Sequence, residues 1–239
     1  LKKINATNKR ILVIPDLHSP YHHIDALDFL KAVKKKFLKR NSIIINVGDE
    51  VDNHAISFHD SDSDLFSAGS ELKLASNFLQ QLNKVFPKMF LCESNHGSLL
   101  MRRMKHHGVP LRVLKELKDI YGVTGWSWHH DIMAKTSNGN IYICHGKTST
   151  YNKLSKETGC NAIQGHFHGK FEITWTRTPT TERFNIFSGC LINWESLAFA
   201  YGKNHIPKPI LGCVMINENG SPFLIKMNLD NKNRWDKKL

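Results

Sequence analysis

Asp16-Leu17-His18, Gly48-Asp49-Glu50-Val51-Asp52, Asn95-His96, His145 and His166-Phe167-His168 spread carboxylates, imidazoles and an amide along a chain of 239 residues. None of these patterns is specific alone. Asp-x-His is common, and a histidine at a strand end is more often a hydrogen-bonded structural residue than a ligand. Together, oxygen and nitrogen donors without a thiolate suit borderline divalent ions such as Mn, Fe or Zn. Seven such side chains are too many ligands for one tetrahedral zinc. With one carboxylate shared, they would serve two ions. Two ions about 3.5–4 Å apart clamp both the attacking and the leaving oxygen of a phosphoryl displacement.

Each of these groups follows an apolar run. "ILVIP" at 11–15, "SIIINV" at 42–47 and "KMFLCE" at 88–93 read as buried strands, with His145 after "IYIC" and His166 after "AIQG". Between the first three lie amphipathic helices. Leu27, Leu30, Val33 and Phe37 stripe the helix at 24–38, and Leu72, Ala75, Leu79, Leu82 and Phe86 stripe the second. This β-α-β-α-β order predicts parallel strands with crossover helices. In such sheets, ligands bind beyond the carboxyl ends of the strands. A helical insertion is expected at about 97–121, with a helix opened by Pro110, lined by Leu111, Leu114, Leu117 and Tyr121, and closed by Gly122. From 124 onward the chain reads as strands and hairpins, with turns at Ser137-Asn138-Gly139 and Asn219-Gly220. The polar tail from about 229 is expected to fray. The whole, 1–239, reads as one α/β domain.

On these residues the chain resembles the calcineurin-like metallophosphoesterases, whose pattern is DxH, GDxxD, GNH[DE], a strand-end H and GHxH. The match covers roughly 11–170. The resemblance implies a β-sandwich of two mixed sheets flanked by helices (αββα) and a hydrolase acting on phosphate esters. It implies that Asp16, His18, Asp49 and His168 hold one metal, and that Asp49 bridges to a second held by Asn95, His145 and His166. Mn is the first choice for the pair, with Fe, Zn, Ni or Co as alternatives. A bridging hydroxide would attack phosphorus in line, and His96 would serve as the catalytic acid at the leaving oxygen.

The sequence departs from that pattern on both sides of Asn95-His96. Ser94 stands for the usual Gly, and Gly97 for the usual Asp or Glu. The protein-phosphatase branch pairs the catalytic histidine with the second Asp of GDxxD, and Asp52 stands there, so a His96–Asp52 dyad is expected. The Arg that follows in that branch is replaced by Asn53, which argues against a Ser/Thr protein phosphatase. Candidate substrate contacts are Asn53, His54, Arg102, Arg103 and Lys147; the two arginines belong to the basic run "MRRMKHHG" at 101–108. Trp126 and Trp128 alternate on one strand face, where core packing is the expected role and base stacking the sharper one.

The formal net charge of +12 favours polyanionic partners. The expected substrate is therefore a nucleotide or nucleic-acid phosphoester, DNA or RNA, cleaved by a phosphodiesterase or nuclease. The alternatives are a phosphomonoesterase acting on phosphoprotein or small phosphorylated molecules, and a non-catalytic nucleic-acid-binding module. The module would be expected to lack ligands, and here every ligand position is filled. Five cysteines with no CxxC pair fit free thiols in a reducing compartment. No run approaches the roughly 20 apolar residues of a membrane helix. The polar start "LKKINATNKR" lacks the apolar core of a secretory signal, so a cytoplasmic location is expected.

Overall fold

Period-two burial divides the apolar strands between two cores. A computed structural model describes residues 1–58, 64–202 and 206–239. Strand β1 is Lys2–Asn5 and β2 is Ile11–Ile14. In β2, Ile11 and Val13 join the apolar layer between two sheets, while Leu12 and Ile14 join the layer beneath helices. Helix α1 (Ala26–Phe37) buries Phe29, Leu30 and Val33, and leads to β3 (Ile43–Asn46). Helix α2 (Ala68–Val85) is capped by the Ser67 hydroxyl, which accepts from the Ser70 N–H, and leads to β4 (Met89–Cys92). These β-α-β steps make β2, β3 and β4 parallel neighbours.

Next come α3 (Leu99–His106), α4 (Leu117–Tyr121), β5 (Trp126–His129), β6 (Ile132–Thr136), β7 (Gly139–Cys144), α5 (Lys153–Thr158) and β8 (Asn161–Gln164). Strands β9 (Phe171–Arg177) and β10 (Glu182–Ser188) form one hairpin, and β11 (Gly212–Ile216) and β12 (Pro222–Lys226) another. One six-stranded sheet runs β12-β11-β2-β3-β4-β5 and the other β1-β6-β7-β8-β10-β9. Both are mixed. Val13, Ile45, Ile143, Ile163, Phe184 and Val214 are among the side chains packed between them. Helices α1 and α2 cover the outer face of the first sheet, and α5 packs Leu154 on the second beside Cys144 and Ala162. The fold is an αββα sandwich.

Three features differ from the sequence-based expectation. Residues 2–5 form an edge strand paired in parallel with β6; its polar side chains hid it, because only alternate residues are half-buried. The helix expected from Pro110 breaks. Leu111–Val113 is a single 3₁₀ turn, Leu114 is extended, and α4 starts only at Leu117. The leucine spacing was right in that Leu111, Leu114 and Leu117 are all half-buried, but the extended backbone at Leu114 interrupts the helix. The C-terminal tail is pinned rather than frayed. Arg234 Nε donates to Asp25 Oδ2 at 2.7 Å, the Trp235 N–H donates to the same oxygen, and the Trp235 ring meets Phe29 edge-on. Arg234 and the Trp235 N–H hold the Asp25 carboxyl down at about 2. Cys92, Cys144, Cys190 and Cys213 are free and buried, and Cys160 is free and half-buried. No helix among the described residues is long and apolar enough to cross a membrane.

Candidate metal centre

The parallel strands β2, β3 and β4 of one sheet, and β7 and β8 of the other, end at a common rim. Asp16 and His18 follow β2, Asp49 and Asp52 follow β3, and Asn95 and His96 follow β4. His145 follows β7, and His166 and His168 follow β8. The turns that aim them are tight. His18, Asp49, Asn53 and His166 all have positive φ, at 50°, 49°, 57° and 70°. Non-glycine residues rarely hold that conformation, and such positions cluster at functional sites. Glycines let the turns close. A Cβ on Gly165 would lie 2.3 Å from Asp16 Oδ1, and one on Gly146 would lie 2.6 Å from the His166 Cβ.

Three groups have ligand atoms within 4.8 Å of one another: Asp16, His18 and His168; His18, Asp49 and His96; and Asp49, His145 and His166. Asp49 Oδ2 lies 3.3 Å from His18 Nε2 and 3.1 Å from His145 Nε2, so one carboxylate joins the two halves of the site. Asn95 Oδ1 lies 2.6 Å from His145 Nε2, and His168 Nε2 lies 3.0 Å from Asp16 Oδ2. All seven expected ligands are thus brought to one place.

The electrostatics are those of a cation site. Burial opposes charge on Asp49, but His145 and His18 hold its carboxyl well below the usual carboxylate range. Burial likewise opposes charge on His145, yet Asp49 raises it to about 9. His18 is pushed well above its usual value by Asp49 and Asp52 against the cost of burial. Burial and neighbouring His145 push His166 down. Ligand protons therefore stand where divalent ions would put charge, and metal binding would release them. Among the seven expected ligands, the buried Asp16 Oδ1 and His18 Nε2 make no hydrogen bond; His18 Nε2 has only its 3.3 Å contact with Asp49 Oδ2. Leaving such atoms unpaired is costly. A divalent cation would satisfy both, and the oxygen and nitrogen donor set suits one. The residues fit divalent metal binding.

Asp52 is fully buried, and its carboxylate divides its attention. Oδ2 lies 3.0 Å from His18 Nδ1, while Oδ1 is 3.4 Å from His96 Nδ1. The shorter contact of His96 Nδ1, 2.7 Å, is to the Asp52 carbonyl oxygen. The sequence pointed to a His96–Asp52 dyad; the geometry adds His18 and the backbone. Replacing Asp52 with Asn is expected to weaken metal binding about 10–100-fold, the usual cost of losing the group behind a ligating histidine. The loss in kcat should be smaller than for removing His96, because the carbonyl still orients that ring. Metal titration and saturating kinetics on the variant check both; unchanged metal affinity would remove Asp52 from the support of His18.

Ser94 and Gly97, the two departures from the resemblance, are linked. Ser94 Oγ accepts from the N–H of Asp49 at 2.8 Å and of Gly97 at 3.1 Å, stitching the β3 turn to the β4 turn. A Cβ at position 97 would sit 2.8 Å from that hydroxyl and 3.4 Å from Glu50 Oε1. The buried carboxyl of Glu50 thus occupies the space beside position 97. Its Oε1 accepts from Trp128 Nε1, and burial raises its pKa to about 7. Neither role was legible, because Glu50 was only a filler position in GDxxD.

The five candidate substrate contacts lie off the cavity above the metal site. Asn53 Nδ2 donates to the His96 carbonyl, and the His54 N–H donates to Glu71 Oε1. Arg103 donates to the carbonyls of Ile56 and Ser57, and its guanidinium lies over the Phe58 ring at 4.2 Å, with Arg102 at 5.1 Å. Lys147 pairs with Asp131. Trp126 is buried and donates to the Phe86 carbonyl, so it packs rather than stacks on a ligand. The cavity has a volume of about 710 Å³ and is lined by His18, Asp49, Asn95, His96, His166 and His168 on the metal side. Tyr151, Phe167, Trp194 and Phe199 also line it, a feature that sequence reasoning missed because they come from three separate segments.

The chain matches no family model and no curated protein. Among solved structures it is similar to a protein serine/threonine phosphatase from Saccharomyces cerevisiae with similarity to human phosphatase PP5. The identity is 9% over 96% of this chain and 84% of that chain, with a TM-score of 0.44, a likeness too distant to carry an argument.

Proposed function

We propose that the chain is a calcineurin-like metallophosphoesterase, a metal-dependent hydrolase of phosphate esters. The observation that carries this reading is the cluster of three Asp/His groups linked through His18 and Asp49 at one rim. Asp16, His18, Asp49 and His168 would hold one divalent ion, and Asp49, Asn95, His145 and His166 the other, with Mn the first choice. Bound there, the ions supply charge stabilisation for the phosphoryl oxygens and an acidified water at neutral pH.

The chain's own residues do the rest. His96 lines the cavity, and its Nδ1 is engaged by the Asp52 carbonyl and carboxylate. That leaves its other nitrogen for the departing alkoxide. Burial opposes charge on this ring, but Asp52 raises its pKa above the usual histidine value, which suits a proton donor near neutrality. Asp52 and Ser94 are positioning residues. The backbone bond from the His96 N–H to Asp49 Oδ1 ties the acid to the shared carboxylate.

The favoured substrate is a nucleotide or nucleic-acid phosphoester, supported by the +12 net charge. With manganese present, bis-p-nitrophenyl phosphate is expected to turn over faster than p-nitrophenyl phosphate. The reverse preference would favour the phosphomonoesterase alternative. Failure to hydrolyse either with two ions bound would overturn the phosphoesterase reading and leave a binding module.

A further inference from the structure

The cavity lining is of two kinds. Besides the Asp/His residues it has an apolar wall that includes Tyr151, Phe167, Ile192, Trp194, Phe199 and Pro207. This wall begins directly at the ligand imidazoles. Phe199 meets His18 edge-on at 5.4 Å and His168 at 6.4 Å, and Phe167 meets His166 at 5.0 Å. A phosphate held by those histidines would therefore have aromatic surface close beside it. Lys170 also lines the cavity. Its ammonium is fixed 4.2 Å from the Tyr151 ring centre and 4.7 Å from that of Phe187, and donates to the Ser149 carbonyl. Among the described residues, Lys170 and Lys208 are the lysines of the lining and Asp49, at the metal site, its carboxylate.

We propose that this wall seats the nucleoside of a single nucleotide unit, its base laid against Trp194 and Phe167 while its phosphate sits at the Asp/His rim. The proposal rests on the phosphoesterase reading for the position of the phosphate. A cavity of about 710 Å³ suits a ligand of nucleotide size. A lone phenyl ester would leave most of it empty. A phosphoserine peptide would bring amide groups that ring faces cannot satisfy. A base in an intact duplex has its faces covered by its neighbours, so the wall selects an unstacked nucleotide. Aromatic rings accept any base, so the wall sets the class of ligand and not its sequence.

Calorimetric binding to the manganese-loaded protein tests this without turnover. The probes are phosphonates with CH₂ in place of the ester oxygen: the isosteres of AMP, of ribose 5-phosphate and of phenyl phosphate. The AMP isostere is expected to bind at least about tenfold more tightly than the ribose isostere, the size of one base–aromatic stack. Trp194→Ala should shrink that margin while leaving the ribose isostere's affinity unchanged, which also shows that the variant folds. Equal binding of the AMP and ribose isosteres would overturn the proposal and leave the phosphoesterase reading intact. So would a phenyl isostere that binds as well as the AMP isostere. If no phosphonate binds although manganese does, the phosphoesterase reading falls and the proposal falls with it.

Discussion

Asp49→Asn is expected to abolish phosphoester turnover and loosen both metal positions at once. The shared carboxylate touches His18 and His145 from one oxygen and accepts the His96 N–H on the other. An amide keeps the shape and removes the charge. It also places N–H donors where a cation or an imidazole N–H must be met. Metal-ion catalysis supplies several kcal/mol of transition-state stabilisation, and each 1.36 kcal/mol is a factor of ten. The loss in kcat/KM should therefore exceed about 10³-fold. Metal content measured after dialysis should fall for both ions. Loss of only one would show that Asp49 serves one side and that the centre is not joined through it.

His96→Ala should separate chemistry from metal binding. Its ring is oriented by Asp52 and lies 4.6 Å from that of His18. The expected loss in kcat is about 10²–10⁴-fold, the range for a positioned general acid, with both ions retained. The loss should be smaller for p-nitrophenyl esters than for alkyl esters, because nitrophenolate leaves without a proton. Equal losses on the two would mean that His96 stabilises phosphoryl charge and does not donate to the leaving group. Loss of metal would make His96 a ligand, a role its place in the group with His18 and Asp49 also permits.

The cluster was legible because its proposed ligands sit at strand ends, where the chain must turn and where hydrophobic runs mark the positions. β2, β3 and β4 are four-residue, mostly buried runs, and parallel strands with crossover helices follow from them. What stayed hidden depends on tertiary neighbours. β1 exists because β6 offers it an edge, and its own residues alternate only weakly. The segment after Pro110 has helical spacing, and its half-buried leucines are presented by a 3₁₀ turn and an extended Leu114 instead of a continuous helix. Arg102 and Arg103 looked like substrate contacts because a basic run beside His96 has no intrinsic direction; Phe58 and the carbonyls of Ile56 and Ser57 decide where they point. Ser94 and Gly97 looked like damage to a motif. They are one local solution, in which a hydroxyl ties two turns together and a side chain at position 97 is excluded.

Manganese titrated into chelator-stripped protein, with bis-p-nitrophenyl phosphate turnover followed at each point, tests the central claim most directly. Two ions should bind per chain, and the rate should rise only as the second site fills. Saturation at one ion per chain, or two bound ions with no turnover of the phosphoester, would contradict the account.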